Sequence, residues 1–176
     1  KVPVIREMWL WTSCIDASKH VARKALIARK SLLLYPGGEK EQILTVKGRH
    51  RLFLRSRKGF VKIALESGAS LVPIYVFGET DLYDSWSFML SFRQMLVAKL
   101  GVAIPLISGA CGLLPHRVPV TAVVGDEIKV TKTPVDREPT QEEVDALHSK
   151  YMTALTALFD KHKAAHGYPN AVLEIL

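Results

Sequence analysis

The stretch YPGGEKE combines residue types that could build a substrate pocket. An apolar run ends at Tyr35 and Pro36, and the pair Gly37 and Gly38 is followed three residues later by Glu41. Glycine tolerates positive φ and lets a ligand approach backbone N–H groups closely. Glu41 would then be a carboxylate at the rim that accepts a hydrogen bond from a hydroxyl. The alternative is a tight turn with solvated charges, the commoner outcome for an isolated Gly-Gly pair.

A second candidate site lies at the start of a predicted helix. We expect Ser56 to be its N-cap, which places Arg57 and Lys58 in the first turn and Phe60 on the apolar face. Cations at this position are repelled by the positive end of the helix dipole, which destabilises the helix by about 0.3–1 kcal/mol for each cation. An anion bound to the free N–H groups would remove that misfit, with Gly59 allowing close approach. The alternative is that surface solvation absorbs the cost.

A third candidate follows the apolar stretch SLVPIYVF, where Gly78 and Glu79 lie beyond the predicted strand end. Active-site loops gather there in α/β sheets, although an acidic turn is an equal alternative. No histidine has a convincing partner in the sequence: His50 lies among arginines, and His148 is interpreted as structural. G-x-S-x-G, Walker A, HExxH and HxxxxD motifs are absent. The residues alone therefore predict an anion site without a general base.

The periodicity predicts one α/β domain over residues 1–176, with a largely parallel or mixed central sheet flanked by helices. The surest element is a C-terminal helix with a capping box at Thr140 and Glu143, closed by Gly167. Gly68 is predicted to end the helix that begins near Ser56. The other predicted helices span 4–12 and 18–29, and the predicted strands span 31–35, 51–55, 71–77, 118–125 and 127–131.

The net charge of +7 is concentrated in one segment. Residues 47–62 carry seven Lys and Arg and no acid, and the remaining 17 basic residues equal the 17 acidic ones. We therefore expect an anionic partner: phosphate, nucleic acid or a membrane face. Nucleic acid is disfavoured because Phe53 and Phe60 are the only aromatics there. Cys14 and Cys111 show no metal or disulfide spacing, and no metal is predicted.

No stretch has the roughly 18–20 apolar residues of a membrane span. The longest uncharged run, 100–115, is interrupted by Pro105, Gly109 and Gly112 and is interpreted as a buried segment, with shallow membrane insertion as the alternative. The sequence starts KVPVIREMWLW, with neither Met nor a signal-peptide pattern, so we expect a piece of a longer protein.

Two motifs resemble those of the type-2 diacylglycerol acyltransferase family, which includes monoacylglycerol and wax-ester synthesising relatives. YPGGEKE is similar to its Y-P-G-G-x-x-E stretch, and RKGFVKIALESGASLVPIYVFGE, residues 57–79, is similar to its longest signature. The similarity continues through LLPHRVPVTAVVG and the C-terminal helix, so it spans nearly the whole chain. The resemblance carries substrate-binding roles onto Tyr35, Pro36, Gly37, Gly38, Glu41, Arg57, Gly59, Phe60, Gly78 and Glu79; Lys58 is added from the charge argument.

The resemblance implies transfer of a fatty acyl group from acyl-CoA to a diacylglycerol or monoacylglycerol hydroxyl, in triacylglycerol synthesis. It implies an acyltransferase α/β fold and the cytosolic face of the endoplasmic reticulum membrane, with the lipid droplet as a second location. Acyl-CoA and a glycerolipid acceptor are the expected partners, with acyl-CoA as co-substrate and no cofactor. The basic run would bind the CoA phosphates, and residues 86–115 would line an acyl channel.

The chain departs from the family pattern in two places. The H-P-H-G motif that would supply the general base is absent, so the catalytic residue is not assigned here and the chain alone is expected to be inactive. A G-R-G run appears as SGACG. The alternative hypothesis is a non-catalytic domain of the same fold that binds anionic lipid.

Overall fold

A computed structural model describes residues 11–38, 41, 45–85, 107–112 and 114–176 of the chain. Three α-helices, six short strands and one 3-10 turn are found in this part. In chain order they are α1 (Lys19–Ile27), β1 (His50–Leu52), α2 (Gly59–Ser67), β2 (Ile74–Phe77), the 3-10 turn Glu79–Asp81, β3 (Asp84–Ser85), β4 (Ile107–Ser108), β5 (Thr121–Val124), α3 (Gln141–His162) and β6 (Leu173–Ile175).

The strands form three two-stranded sheets of mixed direction. β1 pairs in parallel with β6, β2 pairs antiparallel with β5, and β3 pairs antiparallel with β4. The predicted α/β class is therefore confirmed in its mixed form. The strand–helix–strand rhythm over residues 51–77 does not yield a parallel pair, because β2 takes β5 as its partner. The predicted strand 127–131 is reduced to a bridge between Ile128 and Leu71.

The C-terminal residues continue the β1·β6 ladder past its last paired strand residue. The backbone N–H groups of Leu54 and Arg55 both donate to the carbonyl oxygen of Leu176, at 3.1 and 2.8 Å. The N–H of Leu176 donates to Leu52 O at 2.8 Å. The segment that leads from β1 into α2 is therefore fixed by the residues around 173–176.

The helix α3 begins as predicted. The Glu143 N–H donates to Thr140 Oγ1 at 3.2 Å, and the Thr140 N–H donates to Glu143 Oε2 at 2.8 Å, which completes the capping box. The helix ends at His162, earlier than predicted. Gly167 lies in the following turn with φ 91°. The apolar face of α3 packs on β2, where Phe77 stacks against the fully buried Phe159.

The start of α2 corrects the sequence prediction. Its N-cap is Lys58, not Ser56, because the Arg57 N–H donates to Leu54 O at 2.8 Å and keeps the preceding residues in a turn. The end of the helix is confirmed: Gly68 adopts the left-handed conformation, φ 72°, and its N–H donates to Ala64 O.

The predicted buried strand over residues 31–35 is wrong. No strand is assigned there, and the side chains of Leu33 and Tyr35 are 69% and 72% exposed. Their apolar character belongs to the rim of a cavity, as described below. The predicted helix over 4–12 and channel over 86–115 lie largely outside the described residues.

Candidate substrate-binding site

An open cavity of about 1010 Å³ is lined by residues of α1, α2, β2 and the segment of residues 29–37. Its walls are mostly apolar, and charged side chains of both signs lie among them, including Arg29, Lys30 and Arg51. The apolar lining includes Leu26, Leu32, Phe60, Ile63, Leu71 and Leu155, and the polar lining includes Glu41, Tyr75, Glu79 and Thr80. The volume lies at the upper end of the roughly 300–1,000 Å³ typical of ligand pockets.

Glu41 is held in a fixed orientation at this cavity. Its Oε2 accepts a hydrogen bond from the Phe53 N–H at 2.7 Å. Burial raises the pKa of Glu41, and the charge of Glu79 raises it further, while the Phe53 N–H and the Arg57 charge act in the opposite direction. Glu41 and Glu79 are two carboxyl groups of the cavity lining that can accept hydrogen bonds from a bound hydroxyl.

The position of the Glu41 side chain explains why residue 37 is a glycine. A Cβ at residue 37 would overlap the Glu41 carboxylate, so only glycine fits there. Gly38 has φ 64°, in the left-handed region that favours glycine, and the nearest atom to a Cβ there would be Arg57 Nη2 at 3.9 Å. The pair of glycines therefore makes room for a carboxylate, whereas the sequence suggested room for a ligand.

The two cations at the start of α2 have different partners. Arg57 donates from Nη2 to Gly37 O at 3.2 Å, and its guanidinium lies 5.6 Å from the centroid of the Phe53 ring. Lys58 forms an ion pair with Asp145 of α3, Nζ to Oδ1 at 2.6 Å. Arg57 thus reaches the double-glycine turn and Lys58 does not. Gly59 opens the helix, and a Cβ at that residue would have no neighbouring atom within 4 Å.

Four of the seven cations in the basic run of residues 47–62 form ion pairs with acidic side chains from other parts of the chain. Besides the Lys58 pair, Lys47, Arg51 and Lys62 form ion pairs with Asp84, Glu174 and Glu138. These acidic residues lie far from the segment in sequence, so the ion pairs could not be predicted from the composition of the segment itself. The positive charge that this segment offers to an anion is correspondingly smaller.

The third candidate, Gly78 and Glu79, lies directly after the end of β2, as the sequence predicted. Gly78 follows the end of β2 with φ 85°, and a Cβ there would overlap the carbonyl oxygen of Pro119. The chain then enters the 3-10 turn, from which Glu79 and Thr80 line the cavity. Of the predicted residues, the structure brings Tyr35, Pro36, Gly37, Glu41, Phe60 and Glu79 to one cavity, with Arg57 braced against it.

The prediction that no histidine has a partner is wrong. His50 Nδ1 lies 2.8 Å from Tyr75 Oη, and His116 Nε2 lies 3.0 Å from Asp84 Oδ2. His148 is buried with its Nε2 3.2 Å from Leu54 O, which agrees with its structural interpretation. The His50–Tyr75 contact joins residues from two different sheets, so no local pattern could have revealed it.

The described residues contain no group of three His, Cys, Asp or Glu side chains placed to hold a metal ion. In the same part of the chain, no helix combines the length and the hydropathy that crossing a bilayer requires.

Comparison with known proteins identifies the family. The family model "Diacylglycerol acyltransferase" matches residues 1–176. The chain is 36% identical over 191 residues to diacylglycerol O-acyltransferase 2 of Homo sapiens, covering 99% of this chain and 48% of that protein. It is 41% identical over 152 residues to human 2-acylglycerol O-acyltransferase 3, covering 80% and 44%. It is 35% identical over 184 residues to 2-acylglycerol O-acyltransferase 1 of Bos taurus, covering 96% and 54%.

The chain therefore belongs to the diacylglycerol acyltransferase family. It spans about half the length of the curated relatives that it matches. No solved structure matches it.

Proposed function

We propose that this chain forms part of an acyl-CoA-dependent O-acyltransferase that moves a fatty acyl group to the hydroxyl of a diacylglycerol or monoacylglycerol. Its relatives are named for these two reactions. The observation that carries the proposal is the cavity of about 1010 Å³, which combines long apolar walls with the carboxyl groups of Glu41 and Glu79. An acyl chain and a glycerolipid hydroxyl require these two environments side by side.

The apolar part of the cavity suits the lipid chains. Six exposed apolar side chains also line the cavity and therefore lie where it opens to the surroundings: Leu33, Leu34, Tyr35, Val72, Ile74 and Val124. An opening ringed by apolar groups favours entry of a lipid directly from a bilayer, since the lipid would not have to cross water. This supports a place on the cytosolic face of the endoplasmic reticulum membrane or on a lipid droplet.

The polar part suits the acceptor. An ionised carboxylate accepts hydrogen bonds only, so Glu41 and Glu79 favour a hydroxyl and disfavour a phosphate beside them. Arg57 braces the turn that carries Gly37, and Arg51 of the same run lines the cavity. We assign substrate orientation to these residues and do not assign a general base. Acyl-CoA is the co-substrate, and the reaction needs no cofactor.

A non-catalytic domain that binds anionic lipid is the second candidate. In this alternative the domain has no general base, because the H-P-H-G motif is absent from the sequence. Four of the seven cations of residues 47–62 pair with acids, so this segment offers less positive charge to an anionic head group. Acyl transfer to a neutral glycerolipid is therefore the function that the site supports better.

The test is equilibrium binding of a thioether analogue of palmitoyl-CoA, which cannot react, and of dioleoylglycerol in detergent micelles. We expect the chain to bind both, and coenzyme A without its acyl chain to bind far more weakly. Turnover of palmitoyl-CoA and dioleoylglycerol by the chain alone is not expected. Failure of both lipid probes to bind would contradict the proposal.

A pair of matched variants ties binding to the cavity. Ala122 is exposed on β5 and lines the cavity, whereas Ala157 is exposed on α3 and does not. Ala122→Trp should obstruct the opening and weaken lipid binding by about tenfold or more, a cost of about 1.4 kcal/mol. Ala157→Trp should leave binding unchanged. Equal effects of the two variants would place the lipid elsewhere.

A further inference from the structure

A buried hydrogen bond between His50 and Tyr75 lies beside the cavity, and neither residue is among those to which substrate binding was assigned above. His50 Nδ1 is 2.8 Å from Tyr75 Oη, and the two residues are 4% and 7% exposed. Tyr75 lines the cavity and His50 does not. His50 Nε2 is buried without a hydrogen-bond partner among the described residues.

The His50 ring is held on several sides by aromatic groups. Tyr168 meets it edge-on with centroids 4.7 Å apart, and Phe159 lies 5.1 Å away. Tyr168 is fixed in turn, because its hydroxyl donates to Asp81 Oδ2 at 2.6 Å. The imidazole therefore has little freedom to rotate away from Tyr75. Burial lowers the pKa of His50, with the Asp81 charge opposing it, so the ring is neutral at neutral pH.

The surrounding charges decide which partner donates. Tyr75, Glu41 and Glu79 line the same cavity, and the two carboxyl groups contribute, after burial, to raising the pKa of Tyr75. These negative groups favour a phenol proton that points toward them, on the cavity side. Tyr75 Oη then accepts from His50 Nδ1–H. A neutral ring with its proton on Nδ1 has no N–H at Nε2, which fits the unpartnered state of that atom.

We propose that His50 is a positioning residue that aims the Tyr75 hydroxyl into the cavity, where the hydroxyl donates a hydrogen bond to a carbonyl oxygen of a bound lipid. The inference rests on the proposed function and deepens it. The carbonyl belongs either to the thioester of an acyl-CoA or to an ester of the glycerolipid acceptor. Tyr75 acts on the substrate, and His50 acts through Tyr75.

Two pairs of probes separate these sources. Palmitoyl-CoA is compared with its S-alkyl thioether analogue, and dioleoylglycerol with the matching dialkyl ether, because each second member lacks the carbonyl oxygen. Tyr75→Phe should weaken binding of at least one carbonyl-bearing probe by about tenfold and leave its carbonyl-free partner unchanged. The affected pair identifies the source. A loss shared by both members of each pair, or no loss, would overturn the proposal.

Variants of His50 test the positioning role. His50→Leu should reproduce the Tyr75→Phe loss, and the double variant should add little to it. His50→Asn can place an amide N–H where Nδ1 lies and should restore binding to within about threefold of the unchanged chain. Failure of Asn to restore binding in a folded variant would overturn the positioning role.

The tautomer of His50 gives an independent reading. The ¹⁵N shifts of the imidazole should show a neutral ring protonated on Nδ1 at about pH 7–8. A proton on Nε2 would overturn the proposal whatever the binding results. If the unchanged chain binds none of the four probes, the proposed function fails, and this measurement alone decides whether His50 orients Tyr75.

Discussion

Arg57 Nη2 donates a hydrogen bond to the carbonyl oxygen of Gly37 at 3.2 Å, across 20 residues of sequence. The same guanidinium lies over the ring of Phe53, whose backbone N–H holds the Glu41 carboxylate. One side chain thus braces both the double-glycine turn and the residue that orients the carboxylate. The orientation of Glu41 toward the cavity therefore depends on contacts between two separate segments of the chain, residues 37–41 and residues 53–57.

Arg57→Ala should weaken binding of the acyl-CoA thioether and of dioleoylglycerol by about tenfold, because the turn at Gly37 loses its brace. Lys58→Ala should leave both affinities unchanged, since the Lys58 ammonium engages Asp145 on α3. Equilibrium binding to the two variants gives the comparison, with circular dichroism to confirm folding. Equal losses of affinity in both variants would instead support the hypothesis that Arg57 and Lys58 together bind one anion.

Gly37→Ala should destabilise the chain by about 1–3 kcal/mol, because the new Cβ displaces the Glu41 carboxylate from the Phe53 N–H. Gly59→Ala is the matched control: its Cβ meets open space at the first residue of α2, and a gain of up to about 1 kcal/mol is expected. Urea unfolding of both variants measures the difference. A Gly37→Ala variant as stable as Gly59→Ala would show that Glu41 is not confined by this turn.

Glu41→Gln should make the chain more stable at pH 7 and weaken its pH dependence. The pKa of Glu41 in the folded chain is raised above its ordinary value of 4.5, mainly by burial. The folded chain therefore binds this proton more tightly than the unfolded chain. It follows that Glu41 makes stability fall as pH rises from about 4.5 through the raised pKa. Glutamine keeps an oxygen for the Phe53 N–H and has no charge to desolvate.

The measurement for Glu41→Gln is the thermal midpoint at intervals from pH 4 to 7.5. The curves of the variant and the unchanged chain should diverge as pH rises. Glu142→Gln, at an exposed position in the first turn of α3, serves as the control and should not change the slope in the same direction. Parallel curves for Glu41→Gln and the unchanged chain would show that Glu41 is already solvated.

The sequence predicted the elements whose signals are local. Thr140 and Glu143 specify the start of α3 through hydrogen bonds between residues three positions apart, and Gly68 ends α2 by its own backbone freedom. The position of Glu79 beyond β2 was also predictable, because it follows directly from the end of an apolar strand. In each case the determining groups lie within one turn of each other.

The features that sequence reasoning missed depend on long-range contacts. Lys58 forms an ion pair with Asp145, and His50 forms a hydrogen bond with Tyr75. Neither interaction can be predicted from the spacing of residues near it in the sequence. The apolar run before Tyr35 has the composition of a buried strand, yet its side chains line the opening of a cavity. Apolar composition is the same for a core and for a lipid-binding surface, so it could not distinguish them.

The pairing of β1 with β6 has a practical consequence for anyone preparing this protein. Deleting residues 173–176 would remove the ladder partner of His50 and the carbonyl of Leu176 that anchors Leu54 and Arg55. The His50 imidazole, which contacts Tyr75, and the Phe53 N–H, which holds Glu41, both lie in the segment of residues 50–55 that residues 173–176 hold in place. A shortened expression product could thus lose lipid affinity without any change inside the cavity, and purification handles are better attached at a distance from this strand.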